Sequence, residues 1–172
     1  AFWICATANA LCLERIGDVD LIVAQDGSGN YTTLQAAIDA APDNSDKRFV
    51  IYIKNGTYNQ EKLIIPQNKK NLTLRGEDRA RTIISYHLYD CKSPDTGNKC
   101  PAESWALWKD NAALIRTSAT LTIMAEGCVV ENLTLANTAG PVGQALALTV
   151  CADRQVFRNC DILGYQDTIY LW

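Results

Sequence analysis

Val129-Val-Glu-Asn-Leu-Thr-Leu135 and Val156-Phe-Arg-Asn-Cys-Asp-Ile162 follow one pattern, set 27 residues apart. Each opens on apolar residues, carries Asn at the fourth place and alternates apolar side chains after it. A period of this length is the mark of a solenoid, in which each repeat is one coil. Strands of successive coils then stack in parallel about 4.8 Å apart, and their inward side chains form a continuous apolar core. The fold expected is therefore all-β, a parallel β-helix. A β-sandwich would also show short strands, but it would want hairpin signals, and the single Asn-Gly, Asn55-Gly56, lies outside the repeated part.

Working outward, short β-rich runs separated by Gly, Asn and Asp continue in both directions: 62–65, 72–75, 82–86, 121–124, 129–136, 145–150, 155–163 and 168–171. Before them, Leu21-Ile-Val-Ala-Gln25 reads as a strand and Asp26-Gly-Ser-Gly-Asn30 as a turn. Thr32-Thr-Leu-Gln35 then reads as a capping box, opening one short helix near the N-terminus whose Leu34, Ala37, Ile38 and Ala41 share a face, with Pro42 closing it. A strand at Phe49–Ile53 and a turn at Lys54–Tyr58 complete this opening unit. Residues 87–113 interrupt the repeat as an insertion loop, with Trp105 and Trp108 placed either to stack on sugar rings or to pack the loop onto the solenoid.

The chain has 172 residues, 48% hydrophobic and 20% charged, enough for one core. Its 16 Lys+Arg against 19 Asp+Glu give a net charge of −3, which favours neither nucleic acid nor an anionic membrane. Residues 1–20 read as a signal-peptide remnant or leader, with Ala8-Asn-Ala10 fitting a small-x-small cleavage site; a first strand or frayed terminus is the other reading. Residues 21–172 are expected to form the β-helix domain, which the family resemblance given below makes a partial one. Seven cysteines suit an oxidising compartment, and Cys91 and Cys100 bracket a polar loop that a disulfide would staple, while Cys128 and Cys160 read as small buried groups on strands. Asn30, Asn55, Asn71 and Asn132 open N-x-S/T sequons, the last two within expected strands.

Cleaving an ester through an acyl-enzyme takes a nucleophile, a proton donor for the leaving alcohol, and donors aimed at the oxyanion. Gln144 and Gln166 are close to one coil apart, so neighbouring strands would present both amides on one outer face, with Asp167 beside them. An acid working near neutral pH needs its pKa raised, by a neighbouring carboxylate that stays ionised or by drier surroundings, which Tyr165, Tyr170 and Trp172 would supply. The same residues also read as a polar turn with an aspartate cap and a solvated strand end. A metal site is not expected, since Asp153, Asp161 and Asp167 spread over more than one coil and the single histidine, His87, lies in the insertion.

Five runs in order, Val23-Ala-Gln-Asp-Gly-Ser-Gly-Asn-Tyr31, Ser118-Ala-Thr-Leu121, Asn137-Thr-Ala-Gly-Pro141, Gln144-Ala-Leu-Ala-Leu148 and Gly164-Tyr-Gln-Asp-Thr-Ile-Tyr170, resemble the pectin methylesterase (pectinesterase) family over residues 21–172. The resemblance implies a right-handed parallel β-helix that hydrolyses methyl esters of galacturonate in pectin without metal or cofactor. It makes Asp167 the general acid and base, Gln144 and Gln166 the oxyanion hole, and Tyr165 and Tyr170 neighbours of the substrate groove. It implies a secreted protein of the extracellular space or cell wall, or of the periplasm or outer surface if bacterial. Pectin is the partner expected, a proteinaceous inhibitor a further one, and the complete protein a monomer.

The family's nucleophilic aspartate, in an Asp-Phe-Ile-Phe-Gly-like motif, and its Gly-Arg-Pro-Trp-like motif have no counterpart in these 172 residues. A threonine that contacts substrate in many members aligns with Ile115. The 172-residue form is therefore expected to be truncated, nearly inactive and prone to aggregate at an uncovered last coil. A non-catalytic carbohydrate-binding β-solenoid is the competing expectation.

Overall fold

Left-handed backbone at two asparagines sets the corners of this chain. Asn132 and Asn159 have φ of 59° and 50°, a region asparagine tolerates better than other side-chain-bearing residues. Each ends one strand and starts another in a new direction, so the runs expected at 129–136 and 155–163 each divide in two. The structure, a computed structural model, describes residues 18–90 and 118–172. The leader expected over 1–20 therefore lies almost wholly outside the described residues. So do Cys91, Cys100, Trp105 and Trp108.

Thirteen strands are described: β1 (Leu21–Val23), β2 (Phe49–Ile53), β3 (Gly56–Tyr58), β4 (Leu63–Ile65), β5 (Leu72–Gly76), β6 (Thr82–Tyr86), β7 (Leu121–Ile123), β8 (Val129–Glu131), β9 (Thr134–Asn137), β10 (Leu148–Val150), β11 (Val156–Arg158), β12 (Asp161–Leu163) and β13 (Ile169–Leu171). One helix, α1 (Leu34–Ala40), follows β1. All strand pairs run parallel and fall into three sheets: A (β1-β2-β5-β8-β11), B (β3-β6-β9-β12) and C (β4-β7-β10-β13). From β2 onward each coil gives one strand to each sheet, which is the right-handed parallel β-helix expected and excludes the sandwich. The 27-residue repeat is the coil itself, for Val129 pairs with Val156 and Thr134 with Asp161.

Register turns the alternation of each strand into columns. Ile51, Leu74, Val130 and Phe157 stack in sheet A, Tyr58, Ile84, Leu135 and Ile162 in sheet B, and Leu63, Leu121, Leu148 and Ile169 in sheet C. These columns fill the interior, and in all but the fourth coil their members are buried. Helix α1 closes the first coil by burying Leu34, Ala37 and Ile38 against β1 and β4. The capping box is not made. Thr33 is the N-cap and gives no side-chain bond, while the Gln35 amide instead pairs edge strand β4, accepting from Ile64 N–H (2.9 Å) and donating to Ile64 O (3.0 Å). The Gln35 N–H is satisfied by Glu61 at 3.1 Å, so the edge is covered and the helix end capped from one coil.

Three further expectations change. Lys54–Tyr58 is not a turn throughout, because Gly56–Tyr58 forms β3 and pairs with β6. Cys128 and Cys160 sit at corners rather than on strands, with Sγ atoms 3.4 Å from Ala125 O and 3.3 Å from Val130 O, and burial raises both thiols above their ordinary value. Asn71 also turns a corner, at φ 56°, rather than lying in a strand.

The corner asparagines form a ladder: Asn159 Nδ2 donates to Asn132 Oδ1 (2.6 Å), and Asn132 Nδ2 donates to Gly76 O (2.8 Å) and Glu77 O (3.0 Å). A side chain at Gly76 would run into Asn132 O, so glycine is required where the ladder meets the second coil. On the outer face of sheet A, Glu131 lies between Arg75 (2.6 Å) and Arg158 (2.5 Å). Burial alone would raise the Glu131 carboxyl, but the bonds from the two arginines overcome it and hold it below its ordinary value.

Asn132→Ala is expected to lose about 2 kcal/mol of stability, from left-handed strain and two orphaned carbonyls, and Asn132→Gly about 1 kcal/mol; urea denaturation checks the order. Because the folded Glu131 value is depressed, its contribution is complete above the unfolded glutamate value of about 4.3 and is lost as pH falls through the folded one. The stability gap between the parent and Glu131→Gln is therefore expected to close on acidification below pH ~4, read by urea midpoints across pH.

Candidate active site

Inward apolar residues at the ends of the sheet C strands leave their middle residues on the opposite face, so Ile64, Thr122, Thr149 and Tyr170 form an outer column from coil to coil, its two threonines buried. None of these positions carries a carboxylate. The segments leading into these strands continue the stack without being strands themselves. Leu63 N–H donates to Thr120 O (2.8 Å), Thr120 N–H to Leu146 O (3.2 Å), Ala145 N–H to Gln166 O (3.0 Å) and Ala147 N–H to Thr168 O (2.9 Å).

This pairing brings the candidate residues together. The peptide joining Gln144 to Ala145 is held on both sides, its carbonyl accepting from Asp90 N–H (2.7 Å) and its N–H donating to Gln166 O. Gln144 and Gln166 thus occupy facing segments of adjacent coils, ahead of β10 and β13 rather than on neighbouring strands. Gln144 is half-buried and Gln166 exposed. Asp167 follows Gln166 at φ 55°, and the left-handed turn there redirects the chain into β13. Gly164 permits that bend, since a Cβ there would meet Thr168 Oγ1 at 2.8 Å.

Tyr170, half-buried, is the outward residue of β13 and meets Trp172 edge-on with ring centroids 6.4 Å apart. Among the described residues Asp167 is exposed, and Tyr165 and Trp172 are 72% and 70% exposed. Asp161 is taken by Arg79 at 3.4 Å, and Asp153 sits at the corner before β11, so the three aspartates do not gather. Among the described residues no group of three or more His, Cys, Asp or Glu is placed to hold a metal ion. His87 is exposed and stacks on Tyr86 at 4.7 Å.

What the reading of the sequence missed is the buried layer beneath the glutamines. Asn137, at the end of β9 on the same side as inward Leu135, is 6% exposed. Its Nδ2 reaches Leu88 O (2.8 Å), Leu146 O (2.9 Å) and Ser118 O (3.2 Å), and its Oδ1 accepts from Ala139 N–H (2.9 Å). Ser118 Oγ accepts from Leu146 N–H (3.3 Å), and Thr120 Oγ1 donates to Ala136 O (2.8 Å). The sequence offered these residues only as parts of quoted runs; the signal was a polar residue in phase with a buried strand face. A second omission is Lys62, whose ammonium burial lowers despite the opposing charge of Asp90, the residue bonded to Gln144.

Comparison with known proteins agrees with the fold. A family model described as Pectinesterase matches residues 20–172. Pectinesterase/pectinesterase inhibitor PPE8B of Prunus persica is 42% identical over 153 residues, covering 88% of this chain and 26% of its own length. Among solved structures, pectin methylesterase from carrot superposes with a TM-score of 0.72 at 36% identity, over 90% of this chain and 42% of its own. Pectin methylesterase PemA from Erwinia chrysanthemi gives 0.71 at 29% identity, over 90% and 46%. The chain thus spans about a quarter of the curated relative's length and under half of each solved structure.

Asn137→Ala is expected to cost about 2–4 kcal/mol, since three carbonyls lose a shared donor. Asn137→Asp, which sets a carboxylate against the same oxygens, is expected to cost more; urea denaturation of the two variants tests the sign of that difference.

Proposed function

Because this chain belongs to the pectinesterase family, we propose that the whole protein hydrolyses the methyl esters of galacturonate units in pectin, releasing methanol and demethylated pectin. The observation that supports this reading is the Ala145 N–H to Gln166 O hydrogen bond, which sets the backbone of Gln144–Ala145 beside that of Gln166–Asp167 on adjacent coils. A planar ester carbonyl becomes a tetrahedral oxyanion when attacked, and the Gln144 and Gln166 amides are the donors for it. Asp167 gives its proton to the departing methoxide and then takes one from the water that cleaves the acyl-enzyme.

The nucleophile is a carboxylate outside these 172 residues. In support, the outward positions of sheet C are held by Ile64, Thr122, Thr149 and Tyr170. This stretch alone is accordingly inactive. Tyr165 and Tyr170 flank the groove that takes the sugar chain, an apolar face with a polar tip being suited to both parts of a sugar ring. The site of action is the extracellular space or cell wall, or the periplasm or outer surface in a bacterium. No helix among the described residues is long and apolar enough to cross a membrane. A proteinaceous inhibitor is a further partner, and a net charge of −3 offers nothing to nucleic acid.

Methanol release from highly methylesterified pectin is the test, with the full-length protein beside the 172-residue stretch. Activity is expected only in the former. In the full-length protein, Asp167→Ala is expected to lower kcat on the order of 10²- to 10⁴-fold, and Gln144→Ala or Gln166→Ala on the order of 10²- to 10³-fold. Inactivity of both forms with retained pectin binding would favour a non-catalytic carbohydrate-binding solenoid, and turnover by the short stretch would sink the external nucleophile.

A further inference from the structure

Four N-x-Thr sequons begin at Asn30, Asn55, Asn71 and Asn132, and the fold treats the amides of Asn30, Asn71 and Asn132 differently. N-glycosylation replaces one hydrogen of Nδ2 and leaves Oδ1 intact. A sequon is therefore compatible with the folded chain only where an Nδ2 hydrogen is unclaimed and the amide and its hydroxyl residue are open to solvent.

At Asn132 both Nδ2 hydrogens are used, on Gly76 O and Glu77 O, and its Thr134 is buried with Oγ1 donating to Arg79 O. At Asn71, Nδ2 donates to Ser45 O (2.9 Å), Oδ1 faces Gly127, and Thr73 is 1% exposed beneath Arg48. Asn30 differs in each respect. It and Thr32 are exposed, and its amide is oriented by the oxygen alone, Oδ1 accepting from Ile22 N–H at 2.8 Å. The turn carrying it is fixed by Asp26, whose carboxylate accepts from Ser28 N–H (2.9 Å) and Ser28 Oγ (2.5 Å). Asn30 stands beside β1, at the opposite end of sheet A from β11, so a glycan there leaves the Gln166–Asp167 segment open.

We propose that Asn30 is an N-glycan attachment site, and that Asn71 and Asn132 stay unmodified in the folded protein. The donor is an oligosaccharide linked to a lipid diphosphate. The anomeric carbon breaks its bond to the phosphate oxygen and bonds to Asn30 Nδ2, the amide gives up one proton, and the lipid diphosphate departs. The Ile22 bond to Oδ1 survives the transfer.

The test is expression of the full-length protein behind a heterologous secretion signal in a eukaryotic host, with glycopeptide mapping of the folded, secreted fraction. This readout is independent of pectin hydrolysis. The Asn30 peptide is expected to carry a glycan sensitive to peptide N-glycosidase, and the Asn71 and Asn132 peptides none. Thr32→Ala leaves Asn30 and its Ile22 bond in place and is expected to abolish occupancy at Asn30; Thr32→Ser is expected to restore it. An unmodified Asn30 peptide in secreted parent protein, or a glycan on Asn71 or Asn132 in folded material, overturns the proposal.

Discussion

Everything in this fold depends on keeping successive coils in parallel register, because one residue of slip would turn each inward column outward. Parallel pairing alone does not fix that register, since any coil length closes somewhere. The corner does. At Asn132 and Asn159 the left-handed backbone reverses direction within two residues, and the side-chain amides bond from coil to coil. The ladder thus ties the phase of sheet A to that of sheet B. Columns such as Leu74, Val130 and Phe157 then stack without a choice of partner.

The site inherits its precision from the same constraint. Gln144, Gln166 and Asp167 lie in segments that are not strands, where backbone is ordinarily least defined. Here those segments are bonded between coils, and the one carrying Gln144 is anchored at Leu146 by Asn137 and Ser118. A buried amide with its donors and acceptor engaged specifies one arrangement, because each alternative leaves a carbonyl without a partner. Groups placed on such backbone are held in advance, which is the condition that the oxyanion role proposed for Gln144 and Gln166 requires.

Much of this was legible in the sequence, and the exceptions have physical reasons. The repeat at 129 and 156 was visible because stacking demands like residues at like positions, and the order of quoted runs led to the family. Strand ends were misread where β-rich composition continues through a corner, since Asn132 and Asn159 look like strand interruptions rather than turns until backbone angles are known. The capping box failed because Gln35 found a better acceptor and donor in β4, a long-range contact that local pattern does not encode. Cys160 looked like a strand residue for the same reason the corner was missed. Asn137 was invisible as a support because its role comes from three carbonyls far apart in sequence.

Asn137 also binds the chain on both sides of residues 89–117, through Leu88 O before them and Ser118 O after them. Pairing across that stretch joins residues 56 apart, where the next coil joins residues 27 apart. In loop-closure terms the doubled length costs only about 0.6 kcal/mol, less than a typical net hydrogen bond of about 1 kcal/mol. One buried amide therefore offsets the added closure entropy, and the two anchors at Leu88 and Ser118 hold the coils on either side in phase.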